Sequence, residues 1–156
     1  MSTTKKTYEY LKNKQGDELG VSDWILIDQS MIDQFATLTE DRQFIHVDPL
    51  RAKRETAFGG TIAHGFLVLS LASKFASDVF HRESEKSVSI NYGFDKIRFI
   101  TPVTANSFVR GRFYLKRVDS KSSTELRQVY YLSIEIKGSD RLAVVADWIT
   151  LTIFQD

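Results

Sequence analysis

The spacing of apolar residues changes along the chain, from a helical period in the first half to the alternation of strands in the second. Residues 1–19 are mostly polar and predict an N-terminal tail with at most an extra turn of helix. A capping box beginning at Ser30 predicts an amphipathic helix over 31–40. Asp48 followed by Pro49 predicts the start of another short helix, because aspartate is a favoured N-cap and proline fits the first turn.

The most apolar stretch of the chain, 62–80, predicts one long buried helix. Its apolar residues go nearly all the way round a helical wheel, so other elements must cover the helix on every side. Residues 56–73 carry no Asp, Glu, Lys or Arg and are long enough in principle to cross a bilayer. His64, Ser70 and a preceding glycine pair favour a buried helix instead, and we expect a soluble protein without a membrane partner.

Apolar and polar residues alternate from residue 88 onwards, which is typical of strands with one buried face. A shift in the phase of this alternation predicts a β-bulge near 93–96, and the last run is apolar on both faces, which favours an interior strand. The predicted strands cover 88–99, 109–115, 126–136 and 142–154. One buried helix and one antiparallel sheet predict a single α+β domain over residues 1–156, with the sheet curled around the helix.

Composition excludes several classes of function. Of the 156 residues, 42% are hydrophobic and 26% charged, which is ordinary for one globular domain. A formal net charge of +1 gives no electrostatic reason to expect nucleic acid as a partner. The absence of cysteine excludes disulfides, thiol catalysis and thiolate zinc sites. The polar N-terminal segment has no apolar core of a secretory signal, so the sequence predicts a cytoplasmic protein.

Asp41 and His46 are the first candidates for chemistry. A carboxylate beside an imidazole can hold a water molecule and move its proton near neutral pH. The five-residue offset does not place both side chains on one face of a helix, so they meet only if the chain turns after Asp41. The alternative is an aspartate that ends a helix and a histidine with a packing role.

His64 and Gly65 stand at the predicted start of the buried helix. A glycine there lets a ligand approach unpaired backbone N–H groups, which is the geometry of an oxyanion hole; the alternative is a close helix–sheet contact. Ser70 is expected to be a buried hydroxyl that needs a partner, with the carbonyl one turn back as one candidate. The histidines show no His-x-x-x-His or third-ligand pattern, so no metal site is predicted.

Taken together, residues 41–71 resemble the hydratase motif of MaoC-like, (R)-specific enoyl-CoA hydratases, and the form QFIHVDP with FGGTIAHGF resembles the branch named after nodulation protein N. The resemblance implies a hotdog fold, usually dimeric. It implies that Asp41 and His46 activate water and that Gly65, with His64 beside it, receives the thioester oxygen. Ser70 then lies near the catalytic aspartate. Gln43 replaces an asparagine common in the family and keeps its amide chemistry.

The function that this resemblance implies is hydration of trans-2-enoyl-CoA to (R)-3-hydroxyacyl-CoA, and the reverse dehydration, without cofactor or metal. The implied partners are an acyl-CoA thioester and a second copy of the chain, because a sheet around one helix leaves a long edge strand to be covered. One alternative is a hotdog acyl-CoA thioesterase, although residues 62–77 contain no carboxylate to act on water. The other alternative is a non-catalytic protein that binds acyl thioesters.

Overall fold

The computed structural model describes residues 2–80 and 86–155, in which one helix and two short strands are followed by five helices and then by four long strands. No helix in these two ranges is long and apolar enough to cross a membrane. The helices are α1 (Thr3–Asn13), α2 (Gln29–Thr39), α3 (Phe44–Val47), α4 (Pro49–Glu55), α5 (Gly65–Ser70) and α6 (Ala72–Val79). The strands are β1 (Glu18–Val21), β2 (Ile25–Ile27), β3 (Ser87–Phe99), β4 (Ser107–Ser120), β5 (Glu125–Ile136) and β6 (Leu142–Phe154).

The strands form one antiparallel six-stranded sheet in the order β1-β4-β5-β6-β3, and β2 also pairs with β4. The predicted interior position of the last strand is confirmed, since β6 lies between β5 and β3. The predicted bulge is also confirmed, because the register of β3 against β6 shifts between Asn91 and Gly93 and again between Asp95 and Arg98.

The helical segment α5–α6 packs into the core against the sheet. Phe75 of α6 is 0% exposed and lies so close to Gly111 of β4 that a Cβ at Gly111 would come within 2.8 Å of it. The expectation of one uninterrupted helix, covered on all sides, is wrong in two respects. The helix is interrupted at Leu71, and Phe66 is 70% exposed.

The interruption of the central helix has a local cause. The Ser70 hydroxyl donates to the Leu67 carbonyl at 2.7 Å, which is the carbonyl that Leu71 N–H would bind in a regular α-helix. Leu71 N–H instead donates to the Val68 carbonyl at 3.3 Å, one residue nearer, and the turn tightens. The helix also begins later than predicted, at Gly65 rather than at residue 62. Ile62 and Ala63 lie in the segment before it, and their N–H groups donate to the carbonyls of Ile45 and Val103.

The expectation of a tail over residues 1–19 is wrong. Residues 3–13 form α1, whose N-cap Ser2 accepts from Lys5 N–H, and β1 begins at Glu18. The buried face of α1 consists of Thr4, Thr7 and Leu11. Only one of these three side chains is strongly apolar, so hydrophobic spacing could not reveal the helix.

The two predicted helix starts have different outcomes. Asp48 caps α4 as predicted, and its carboxylate accepts from Arg51 N–H at 3.0 Å. The predicted capping box at Ser30 is wrong. Asp28 is the cap of α2 and accepts from Met31 N–H at 2.8 Å, so the helix begins at Gln29. Asp28 thus provides the N-cap that the sequence had assigned to Ser30, two residues earlier in the chain.

Candidate active site

His46 lies on the four-residue helix α3 and is almost completely buried. Its Nδ1 is 2.6 Å from the Ile62 carbonyl oxygen. Because a carbonyl can only accept, Nδ1 carries the hydrogen and Nε2 is left with a free lone pair. His46 also lines a cavity of about 180 Å³. The sequence therefore places an imidazole of fixed tautomer, with a basic nitrogen available, at the wall of a cavity.

Burial lowers the pKa of His46 below its ordinary value of 6.5, and the neighbouring His64 acts in the same direction. The hydrogen bond to the Ile62 carbonyl and the charge of Asp41 raise the pKa in part. The net shift is downward, so the ring is neutral at physiological pH. A neutral imidazole can accept a proton from water, as a general base must.

Asp41 reaches this histidine because the chain turns at the end of α2. Glu40 has a left-handed conformation with φ 61°, which ends the helix and reverses the chain before Asp41. Asp41, His46 and His64 each place one side-chain N or O atom within 4.8 Å of those of the other two. The Asp41 carboxylate is exposed, whereas both imidazoles are buried. One water molecule bridging the carboxylate and an imidazole fits this spacing.

His64 supports the other two residues. Its Nε2 is 2.9 Å from the Asp41 carbonyl oxygen, to which it donates, and its ring stacks on His46 with centroids 3.7 Å apart. Phe35 packs on the His64 ring at 5.0 Å. The sequence placed His64 beside the thioester oxygen, but in the structure its ring is turned towards Asp41. Its Nδ1 is buried and finds no hydrogen-bond partner among the described residues.

The side chains of Asp41, His46 and His64 together could also hold a metal ion. The spacing of these residues in the sequence did not reveal that three potential ligands meet here. Two features of the cluster fit a hydrogen-bonded site better. His64 Nε2 must carry a hydrogen to bind the Asp41 carbonyl. The two rings are inclined by only 23° and stacked, so their nitrogen lone pairs lie in nearly parallel planes, which is unfavourable for ligation of one shared ion.

Gly65 lines the same cavity as His46, at the first position of α5. The side chain of the preceding residue makes no capping hydrogen bond, so it does not occupy the N–H groups of the first turn. A Cβ at Gly65 would lie 2.8 Å from the ring of Phe99, so close packing also favours glycine here. Most other residues of the cavity wall are apolar, among them Ala63, Val68, Phe99, Val103, Ala143 and Val144.

The structure does not bring Ser70 or Gln43 into the cluster. Ser70 is exposed, so the expectation of a buried hydroxyl is wrong, while its bond to the carbonyl one turn back is confirmed. Gln43 is exposed at the N-cap of α3, where its side chain makes no capping bond. Its carbonyl accepts from His46 N–H at 2.9 Å, so its contribution is through the backbone.

Gln29 and Thr61 hold α3 in place, and reasoning from the sequence missed both. Gln29 Nε2 donates to the His46 carbonyl at 2.7 Å, and the buried Thr61 hydroxyl donates to Gln29 Oε1. His46 is thus fixed through its ring by Ile62 and through its backbone by Gln29. The only available signal was the position of Thr61 between the glycine pair and His64.

The sequence matches the family described as "MaoC like domain" over residues 11–136. The chain belongs to this MaoC-like family. It is 47% identical over 139 residues to nodulation protein N of Rhizobium leguminosarum bv. viciae, covering 89% of this chain and 86% of that protein. It is 38% identical over 132 residues to 3-hydroxyacyl-thioester dehydratase Z of Mycobacterium tuberculosis, covering 85% of this chain and 86% of that protein. The resemblance seen in the motif is confirmed.

Solved structures of MaoC-like proteins share the fold. The monoamine oxidase regulatory protein from Archaeoglobus fulgius superposes with a TM-score of 0.74 at 22% identity, covering 91% of this chain and 92% of that chain. The (R)-hydratase of A. caviae involved in PHA biosynthesis superposes with a TM-score of 0.67 at 23% identity, covering 87% of this chain and 94% of that chain. These likenesses confirm the predicted hotdog fold, with its α+β composition.

Proposed function

We propose that this MaoC-like protein adds water to trans-2-enoyl-CoA thioesters to give (R)-3-hydroxyacyl-CoA, and catalyses the reverse dehydration. The observation that carries the proposal is the cluster of Asp41 and His46, with one side-chain atom of each within 4.8 Å, beside a largely apolar cavity. The name of the mycobacterial relative, a 3-hydroxyacyl-thioester dehydratase, supports the same reaction class. An (R)-hydratase with the same fold supports the stereochemistry.

The proposed reaction begins with a water molecule held between Asp41 and His46. His46 Nε2 accepts a proton as the water oxygen bonds to C3 of the enoyl group, and the electrons of the double bond move towards the thioester carbonyl. The Gly65 N–H stabilises the charge that develops on the carbonyl oxygen. A proton then returns to C2 from the Asp41–His46 pair. The net change is the addition of one water molecule, which needs no redox cofactor.

The contacts around the pair suit these roles. The bond from Nδ1 to the Ile62 carbonyl leaves Nε2 of His46 as the base, and the lowered pKa keeps it unprotonated. His64 acts as a positioning residue, since its ring holds the Asp41 carbonyl and stacks on His46. Precise placement of such groups is required, because proton transfer occurs only within hydrogen-bond reach.

The proposed enzyme is a homodimer. β3, which is 13 residues long, is an edge strand that pairs only with β6 in the described sheet, so the outward-facing backbone groups along it offer an edge for pairing. Val88, Ile90 and Tyr92 are exposed on β3, and Phe66 and Phe99 add apolar surface nearby. Pairing of β3 with β3 of a second copy would extend the sheet and cover this surface.

Replacement of the two proposed catalytic side chains tests the function. Asp41→Asn and His46→Gln are each expected to lower kcat for hydration of crotonyl-CoA by about 10²–10⁴, the range of general acid–base catalysis. The double variant is expected to be little worse than either single variant, because the two groups act on one water molecule. Asp140→Asn, which removes an exposed carboxylate distant in sequence, is the control and should keep wild-type turnover.

The assay separates the hydratase from its alternatives. Hydration removes the enoyl absorbance without releasing free thiol, whereas a thioesterase releases thiol, and chiral analysis of the product tests for the (R) configuration. Folded single variants with wild-type turnover would remove the catalytic assignment. Binding of enoyl-CoA without turnover by the wild-type protein would leave only the non-catalytic alternative.

A further inference from the structure

A buried hydroxyl without a partner lies in the wall of the same cavity. Thr101 follows β3 and lines the cavity together with His46 and Gly65. Its Oγ1 is shielded from solvent and has no hydrogen-bond partner within residues 2–80 and 86–155. Buried hydroxyl groups in folded proteins are almost always hydrogen-bonded, and an exception calls for an explanation.

The backbone around Thr101 is fixed on both sides. Ile100 N–H donates to the Ala143 carbonyl at 2.8 Å, and the Val103 carbonyl accepts from Ala63 N–H at 2.7 Å. Ala63, Ala143 and Val103 also line the cavity, so backbone hydrogen bonds to other cavity-lining residues hold the segment that carries Thr101 in place. The cavity wall is mainly apolar, so a partner for the hydroxyl has to enter the cavity from outside. Oγ1 is shielded from the cavity in its present rotamer, and a rotation about the Cα–Cβ bond of Thr101 brings it to the cavity surface when a partner binds.

We propose that the Thr101 hydroxyl donates a hydrogen bond to the carbonyl oxygen of the bound acyl thioester. The inference rests on the proposed function and adds a second donor beside the Gly65 N–H. The reacting end of an enoyl thioester has a single oxygen, the carbonyl. The water molecule, or the 3-hydroxyl in the reverse reaction, lies between Asp41 and His46. The carbonyl oxygen is therefore the substrate atom left for Thr101.

Such a donor acts mainly on the transition state. The carbonyl oxygen gains negative charge as water adds, so a donor aimed at it strengthens its bond during the reaction. Removing the hydroxyl should therefore lower kcat more than it raises KM. A hydroxyl that only packs in the wall would leave both constants unchanged, since valine has nearly the same shape as threonine.

Two variants with matched shapes test the assignment. Thr101→Val removes the hydroxyl and is expected to lower kcat for crotonyl-CoA hydration by about 10- to 100-fold, with KM raised by less than about tenfold. Thr101→Ser keeps the hydroxyl and should stay within about threefold of wild-type kcat. Thermal unfolding of both variants shows whether each is folded. Equal losses in Val and Ser, or wild-type kcat in Thr101→Val, would overturn the proposal.

A binding measurement separates this inference from the hydratase proposal. Butyryl-CoA carries the same thioester carbonyl but has no double bond to hydrate. Calorimetry is expected to show about two- to tenfold weaker binding to Thr101→Val and unchanged binding to Thr101→Ser. If the wild-type protein binds butyryl-CoA with this dependence but does not hydrate crotonyl-CoA, the hydratase proposal fails and the contact stands. Equal affinity for all three proteins, together with equal kcat for all three, rejects the contact.

Discussion

Gly65 and Gly111 each face a phenylalanine, and substitution of both by alanine distinguishes a glycine required for chemistry from one required for packing. A Cβ at Gly65 would meet the ring of Phe99 at 2.8 Å, and a Cβ at Gly111 would meet Phe75 at the same distance. The two phenylalanines differ in freedom, since Phe99 is 48% exposed and Phe75 is fully buried. The same substitution should therefore have different consequences at the two positions.

The expected stability changes follow from the atoms that would collide. At Gly111 the nearest atom is the Cβ of Phe75, which moves only with the backbone of α6. Overpacking of this kind costs about 1–3 kcal/mol, which lowers Tm by roughly 2–12 °C in a domain of this size. At Gly65 the nearest atoms belong to the ring edge of Phe99, which can turn towards solvent. Alanine also gains up to about 1 kcal/mol over glycine in a helix, so Tm should change little.

Activity is expected to fall at Gly65 and not at Gly111, the reverse of the effect on stability. Gly65 lines the cavity, so a methyl group there and a displaced Phe99 ring would obstruct the thioester oxygen. We expect Gly65→Ala to lose at least about tenfold in kcat, on the scale of an oxyanion donor. Gly111→Ala should keep wild-type kcat per folded molecule. Calorimetry measures Tm, and steady-state kinetics measure kcat per folded molecule. A Gly65→Ala protein with lowered Tm but wild-type kcat would refute a catalytic role.

Two further predictions concern pH and assembly. Because burial holds the pKa of His46 below 6.5, kcat/KM measured from pH 5 to 8 should rise along a limb below pH 6.5 and then level off. Asp41→Asn removes a charge that raises this pKa, so the limb of the residual activity should move to lower pH; a limb above pH 7 would contradict the assignment. Stability has the same sign: the unfolded chain binds the proton more readily, so stability falls as the pH drops below 6.5, and His46→Gln removes that part of the loss. If the proposed dimer forms through β3, Tyr92→Lys should convert it to a monomer in sedimentation, whereas Tyr10→Lys on α1 should not. The two tyrosines are similarly exposed, at 61% and 55%, and equal behaviour of the two variants would reject β3 as the interface.

The sheet could be predicted because its signal is local. Alternation of apolar residues identified β3 to β6, including the bulge in β3 and the interior position of β6. The end of the apolar helix could not be predicted in the same way. The helix is interrupted because the Ser70 hydroxyl, rather than the Leu71 N–H, donates to the Leu67 carbonyl. This competition between two donors does not alter the spacing of apolar residues, so the sequence pattern does not show it.

The residues and the geometry of the candidate site were both predictable only in part. The motif identified Asp41, His46 and Gly65, and the structure places the first two together and the third in the same cavity as His46. The contact of His64 with the Asp41 carbonyl joins residues 23 positions apart, and Gln29 reaches the His46 carbonyl across 17. Such contacts depend on how the loops fold over one another, and no spacing rule relates their members.

The strand order also determines when the active-site segment can fold during synthesis. β4, β5 and β6 pair with their neighbours in the chain, whereas β1 and β2 pair with β4, and Glu18 is hydrogen-bonded to Tyr114 across 96 residues. Local pairings form faster than distant ones, so we expect the β4–β6 meander to fold first. The ribosome releases the N-terminal half earlier. A nascent chain that already contains Asp41, His46 and the apolar helix therefore has no sheet to cover that helix, and chaperones are expected to bind it until β4, β5 and β6 have emerged.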